Sequence, residues 1–394
     1  MSKLIVFVLI NLLFSTLNLQ AKVVPVKNVD ELSSAIDNAK PGDTIYVKSG
    51  TYTFKTRTTI RNSGTPGEKI YFTAHPENKE RPLFDFSALA EKSSNQGFRL
   101  KANYWHIQGF DFYNAGDNGL LIENGHHNII EFCTFSECSD TGLQLDSGSS
   151  YNVILNCDSF YNADESMENA DGFAVKMDTG TGNKFIGCRA WQNLDDGWDG
   201  YLRGTDSIST TYENCWAFKN GLKKDGTPSG GDGNGFKTGG SDDKTLRHNA
   251  TYTRCIAAGN VEEGFDHNSN RGVVTLYNCS AHKNKTNFGF GSKNQVSRLT
   301  IKNSLTTGKP EKINADIIDA SHNSWQITGV SATEADFKSL DLSQLSAPRQ
   351  PDGSLPDITY LHLKKGSDLI NKGTDVGIPF NGPAPDLGAF EFEK

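Results

Sequence analysis

Six cysteines recur at similar intervals through the middle of this chain, and each opens a version of the same short pattern. They are Cys133, Cys157, Cys188, Cys215, Cys255 and Cys279. Five residues after all but the first stands an asparagine: Asn162, Asn193, Asn220, Asn260 and Asn284. Further on comes a small turn-type residue followed by a bulky apolar one. These pairs are Gly142-Leu143, Gly172-Phe173, Gly197-Trp198, Gly235-Phe236, Gly264-Phe265 and Asn287-Phe288. Phe110 with Gly119-Leu120 begins the series and Ser304 extends it, at intervals of 23, 24, 31, 27, 40, 24 and 25 residues. Periods of this size mean stacked supersecondary units, none of which can bury its apolar face alone. Residues at equivalent places in successive units therefore sit one above another.

Each unit contains two or three short β-rich runs, which matches one coil of a parallel β-helix. Parallel crossovers coil right-handedly. The predicted fold is all-β: a right-handed parallel β-helix over residues 22–330, with an N-terminal capping helix and an irregular C-terminal tail. Asp30 is the expected N-cap of that helix, ahead of apolar spacing at Leu32, Ala35 and Ile36. A helix there covers the end of the stack, which otherwise invites aggregation. The asparagine column is expected at a tight bend, since Asn tolerates left-handed backbone and its amide can bond the coils above and below. Beyond residue 308 the repeat fades. Residues 331–394 hold an expected helix over 333–340 and a Pro/Gly-rich tail, and are read as packing against the stack or capping it.

Residues 1–21 read as a secretory signal, with Lys3, an apolar run over residues 4–14 and Ala21 before a cut. The run is short for a bilayer span, and no later segment is suited to one. The expected location is secreted or periplasmic. Seven cysteines in an exported protein invite disulfides. Six of them, however, share one column, where small apolar side chains pack well, so an interior stack of reduced thiols is expected. Cys138 falls in the asparagine column instead. The formal charge of −8 argues against nucleic acid, although an anionic substrate remains open where cations are held locally.

The repeat also aligns the polar residues. Before the Gly of each pair stand Asn118, Thr141, Asp171, Asp196, Asn234 and Glu263; after the bulky residue stand Leu121, Gln144, Ala174, Asp199, Lys237, Asp266 and Gly289. Coils lie about 4.8 Å apart, so Asp171, Asp195, Asp196 and Asp199 crowd one patch. Such a cluster repels itself unless a cation compensates it. Ca²⁺, which takes six to eight oxygens in flexible geometry, suits it. The plainer readings are a solvated acidic edge or aspartates serving turns. Lys237 shares a column with Asp199. A nearby cation and partial burial are expected to lower its pKa and make it a usable general base. The plainer reading is a salt bridge to Asp199 or Asp266. Asp266 and His267, one coil further, are weaker candidates for substrate contact.

A cation beside a poised base fits β-elimination in a uronic-acid polymer. The cation neutralises the sugar carboxylate, the base removes the C5 proton, and the C4–O4 bond breaks. An alkaline optimum is expected. The strings Asn169-Ala170-Asp171-Gly172-Phe173-Ala174-Val175-Lys176, Asp195-Asp196-Gly197-Trp198-Asp199 and Gly233-Asn234-Gly235-Phe236-Lys237 resemble the motifs of polysaccharide lyase family 9. That family contains pectate lyases and rhamnogalacturonan lyases on a right-handed parallel β-helix, and the resemblance spans residues 23–305. It implies that Asp171, Asp195, Asp196 and Asp199 hold Ca²⁺ and that Lys237 is the base. The expected enzyme is a secreted pectate lyase acting, as a monomer, on an anionic pectic polysaccharide. Three alternatives remain open: a rhamnogalacturonan I lyase of the same family, a β-helix glycoside hydrolase using an aspartate pair, and a non-catalytic glycan-binding β-helix.

Overall fold

The computed structural model describes residues 21–308 and 310–393. The leader expected at residues 1–21 therefore lies, except for Ala21, outside the described residues. Among the described residues, no helix is long and apolar enough to cross a membrane.

Three parallel sheets form the walls of a β-helix. The first has 12 strands, from Val23–Val26 to Ile317–Ser321; the second has 10, from Thr51–Thr53 to Leu305–Thr306; the third has 10, from Thr58–Ile60 to Lys312–Ile313. Successive coils supply one strand to each sheet in turn. The register of the third sheet is the alignment read from the repeat. Leu143 pairs with Phe173, Phe173 with Trp198, Trp198 with Phe236, and Phe236 with Phe265. The rings of Phe173, Trp198, Phe236, Phe265 and Phe288 stack inside, with centroids 5.0, 4.8, 5.0 and 5.4 Å apart. Offset stacking of this kind adds to the burial of each ring.

The asparagines form a second ladder, at the corner between the second and third sheets. Asn162 Nδ2 donates to Asn193 Oδ1 (2.9 Å), Asn193 to Asn220 (3.0 Å), Asn220 to Asn260 (3.0 Å) and Asn260 to Asn284 (2.8 Å). Each Oδ1 also accepts the backbone N–H of the asparagine one coil before it, as at Asn193 N to Asn220 Oδ1 (3.3 Å). The expected amide bonding between coils is therefore present, but the left-handed backbone is one residue earlier. It falls on Tyr161, Gln192, Lys219 and Lys283. The glycines of the repeat are not turn residues either. A Cβ on Gly197 would lie 2.7 Å from Asn220 Nδ2, and one on Gly235 2.8 Å from Asn260 Nδ2. They are small because the next strand begins against the amide ladder.

All seven cysteines are free and buried. Cys188 Sγ points at Ile154 O (3.3 Å) and Cys157 Sγ at Ile130 O (3.5 Å), so the column is a stack of reduced thiols. Cys138 starts the asparagine corner, its backbone N–H donating to Asn162 Oδ1. Burial pushes its thiol up to about 12.

The N-terminal helix is Val29–Asn38, and its N-cap is Asn28, not Asp30. Asn28 Oδ1 accepts from Glu31 N, while Glu31 reaches back to Lys27 N. Asp30 lies inside the first turn, where its charge still suits the helix dipole. Leu32 and Ile36 are buried beneath it. The helix expected over 333–340 is absent. Only Glu334–Asp336 makes a 3₁₀ turn, followed by Leu342–Ser346. In between, Lys338 N donates to His362 O and Leu361 N to Ser339 O, and these cross-chain bonds hold the segment extended. The C-terminal segment covers the outer face of the second sheet. There Phe337, Leu345, Tyr360, Leu363 and Leu387 form a core with Trp191, Trp216 and Phe218. Buried Asp158 pins it by pairing with Arg189 (2.7 Å) from the stack and Arg349 (2.7 Å) from the segment.

Two stability predictions follow from these contacts. Asn220→Ala strips the acceptor from two donors of Asn193 and should lower unfolding free energy by about 2 kcal/mol or more in a denaturant titration. Burial alone would raise the Asp158 pKa, but Arg349 and Arg189 outweigh it and hold the pKa below the ordinary value. Its stabilisation is therefore complete above the unfolded value near pH ~4 and is lost as pH falls through the lower folded value. Asp158→Asn should cost about 3 kcal/mol at neutral pH. Its deficit against wild type should shrink on acidification; a deficit that stays constant would contradict the assignment.

Candidate metal centre and base

Where the second sheet turns into the third, two successive coils bring Asp171, Asp195 and Asp196 together. One carboxylate oxygen from each lies within 4.8 Å of the others. The next coil fixes each side chain through a backbone amide. Asp196 N donates to Asp171 Oδ1 (3.2 Å), Asn234 N to Asp196 Oδ1 (2.7 Å) and Asp232 N to Asp195 Oδ1 (2.6 Å). Asp171 and Asp196 are wholly buried and Asp195 nearly so. Asp199 stands beside the trio, outside the group lying within 4.8 Å. Its Oδ1 accepts from Tyr201 N (3.0 Å), and its Oδ2 is 3.6 Å from Lys176 Nζ.

Protein groups alone compensate this acid cluster only in part. Burial raises Asp195 to about 10, reinforced by Asp196 and Asp171. Burial also raises Asp196 to about 8 and Asp171 to about 6, with lysines pulling each back. Asp196 Oδ2 is buried and receives no hydrogen bond. Three hard oxygen donors in close reach, with Asp196 Oδ2 met only by the Lys237 ammonium and by no hydrogen bond, make a site that fits a divalent oxygen-liking cation.

Lys237 extends from the following coil, in register with Asp199 on one side and Asp266 on the other. Its ammonium donates to Asp232 Oδ2 (2.9 Å) and lies 3.0 Å from Asp196 Oδ2, where the angle falls short of a hydrogen bond. The partners are thus Asp196 and Asp232 rather than Asp199 or Asp266. The expected lowering of the Lys237 pKa rests on a bound cation as well as on burial; the protein groups by themselves act the other way. Burial disfavours the charge, but Asp196, Asp199, Asp195 and Asp232 outweigh burial and raise the pKa well above the ordinary range.

Asp266 and His267 line a groove of about 480 Å³ with Asn268, Gly291, Lys293 and Lys312. Both ring nitrogens of His267 face backbone carbonyls, Nδ1 at Gly289 O (3.0 Å) and Nε2 at Lys293 O (3.3 Å). His267 therefore offers no free nitrogen to a ligand, whereas Asp266 Oδ1 accepts only a local bond from Asn268 N. Sequence reasoning passed over three neighbours of the trio. Asp232 tethers Lys237 from the 40-residue unit. Lys176 lies within the first quoted string, 2.7 Å from Asp171 Oδ2. Asp140, whose carboxyl burial raises to about 6, lies two residues before Gly142, as Asp195 lies two before Gly197.

Residues 18–314 match the family described as "Pel9A-like, right handed beta helix region". Pectate lyase L of Dickeya dadantii is 39% identical over 372 residues, covering 91% of this chain and 85% of that one. The crystal structure of pectate lyase Pel9A superposes with a TM-score of 0.84 at 36% identity, covering 94% of this chain and 96% of that one. A rhamnogalacturonan lyase superposes with a TM-score of 0.77 at 25% identity, covering 86% and 96%.

Binding of a divalent cation to the trio should raise the melting temperature of chelator-treated protein. A cation at about 100 times its Kd contributes about 2.7 kcal/mol. Asp196→Asn, which removes a carboxylate charge from the centre, should abolish most of that rise in a thermal scan with Ca²⁺, Mg²⁺ or Mn²⁺.

Proposed function

This chain belongs to the Pel9A-like right-handed β-helix family, and on that footing we propose that it is an exported, Ca²⁺-dependent pectate lyase. The observation that carries the reading is one lysine, Lys237, held 3.0 Å from a buried carboxylate of an acid trio. Such a pair serves proton abstraction next to a cation-bound uronate. A hydrolase needs instead a protonated acid and a carboxylate with water between them.

The geometry supports the following division of roles. Asp171, Asp195 and Asp196 are the proposed cation ligands, with Asp199 completing the set from one residue beyond Trp198. Calcium suits the all-oxygen donors and their uneven geometry; when bound, it would neutralise a galacturonate carboxylate and stabilise the negative charge that develops beside it. Lys237 takes the C5 proton. The C5–H electron pair forms the C4–C5 double bond, the C4–O4 pair leaves on O4, and O4 takes a proton from solvent water, leaving a 4,5-unsaturated sugar and a new chain end. Asp232 and Asp196 hold the Lys237 nitrogen at the cation site. Asp266 lies one coil further along the same face, where an extended polymer would continue.

Polygalacturonate and rhamnogalacturonan I should be tested separately for the ultraviolet absorbance of the unsaturated product. The expected result is a rise with polygalacturonate and Ca²⁺ that disappears with chelator. In Lys237→Ala it should fall by at least ~100-fold, the scale of a lost general base. A rise only with rhamnogalacturonan I would transfer the mechanism to that polymer. New reducing ends without absorbance would indicate hydrolysis and overturn the reading.

A further inference from the structure

Lys176 is the charged residue that the proposed reaction leaves without a role. It follows Val175 at the end of the strand that carries Phe173, inside the first of the quoted strings. Its side chain is 7% exposed, too enclosed to meet a polymer. Its ammonium donates to Asp171 Oδ2 at 2.7 Å and lies 3.6 Å from Asp199 Oδ2, on the adjacent coil. Asp140 contributes a third carboxylate nearby. Burial disfavours the charge on Lys176, but Asp171, Asp199 and Asp140 together outweigh it.

The bonding of Asp171 shows what this lysine does. Asp171 Oδ1 is pinned by Asp196 N at 3.2 Å. Its Oδ2 receives both Lys176 Nζ and Thr141 Oγ1, the latter at 3.1 Å. Three donors thus fix the orientation of one carboxylate. The same ammonium ties it to Asp199, which stands outside the trio. No other side chain links these two carboxylates among the hydrogen bonds and ion pairs of the described residues.

We propose that Lys176 is a positioning residue for the cation site: a built-in positive charge that orients Asp171 and draws Asp199 toward the trio. This rests on the reading of Asp171, Asp195 and Asp196 as cation ligands. It does not depend on which polymer is cleaved. Groups that orient metal ligands from behind change metal affinity by about 10–100-fold when removed. The loss of a positive charge works in the opposite direction, because it leaves the site more negative. The proposal holds that orientation wins.

Ca²⁺ binding to the full chain by isothermal titration calorimetry, without substrate, decides the matter. Lys176→Met should weaken Kd by at least ~10-fold, and Lys176→Arg, which keeps the charge, should lose less. Lyase activity of Lys176→Met should return toward wild type as Ca²⁺ is raised, since the lysine touches neither substrate nor base. In an Asp171→Asn background the effect of Lys176→Met should largely vanish, because the carboxylate it orients has lost its charge. An unchanged or tighter Kd in Lys176→Met overturns the proposal. So does an equal loss in the Asp171→Asn background. If Lys176→Met does not fold, an Asp171→Asn variant that binds Ca²⁺ as tightly as wild type would overturn it, since the carboxylate that Lys176 orients would then play no part. A wild type that binds no Ca²⁺ removes the cation site itself, a failure separable from the choice of polymer.

Discussion

Everything in this protein depends on the parallel register between coils. Parallel strands lie about 4.8 Å apart, so any residue repeated once per coil meets its own copy at nearly the same distance. Side chains that tolerate or exploit self-contact can fill such columns; others cannot. Aromatic rings stack, thiols pack, and asparagine amides donate to one another. Asparagine suits the corner because one side chain supplies two acceptor sites and two donors. It satisfies backbone N–H and C=O groups that the sheets leave unpaired as the chain turns.

The same rule becomes a hazard when the repeated residue is charged. Stacked carboxylates at this spacing repel one another, and burial strengthens the repulsion. The chain nonetheless places Asp171 and Asp196 in adjacent coils, with Asp195 alongside and Asp199 three residues beyond Asp196. It also spends two lysines there. Lys176 stands behind Asp171, and Lys237 stands in front of Asp196. Elsewhere the buried acid Asp158 is fully paired with two arginines, and its carboxyl is held below its ordinary range. At the trio the balance falls the other way, and Asp195 is driven up to about 10. That contrast sets a fully paired buried acid apart from an acid cluster that its lysines only partly balance.

Most of the architecture was legible because the repeat is its own alignment. The Cys, Asn and Gly–aromatic columns gave the third sheet's register residue by residue, from Leu143 to Phe265. Asp199 and Lys237 were paired on the same basis. What was missed lay off those columns. A further amide ladder runs through Asn128, Asn152 and Asn183, with Asn128 Nδ2 donating to Asn152 Oδ1 at 3.0 Å. Its signal was present, an Asn five residues before each of Cys133, Cys157 and Cys188. Thr210 interrupts it before Cys215. The left-handed corner was assigned to Asn because Asn adopts that backbone readily, yet the fold places Gln192 and Lys219 there. Tertiary stacking overrode local preference. The same happened to the helix expected over residues 333–340, which pairs with residues 360–363 instead.

Lys237 shows where local chemistry could not be read from residue types. Burial and a nearby cation both argue for a neutral amine, whereas four carboxylates argue for an ammonium. Distance decides between them. Asp196 and Asp232 are within 3.0 Å of the nitrogen, and at that range their attraction exceeds the desolvation of a side chain still 11% exposed. One of the two carboxylates that hold the lysine, Asp196, also belongs to the trio that would bind a cation. A positive charge placed on the trio would offset part of the attraction that holds the Lys237 proton. A β-helix can arrange this simply, because the coil that carries Asp196 and Asp199 and the coil that carries Lys237 are a single step apart along the stack.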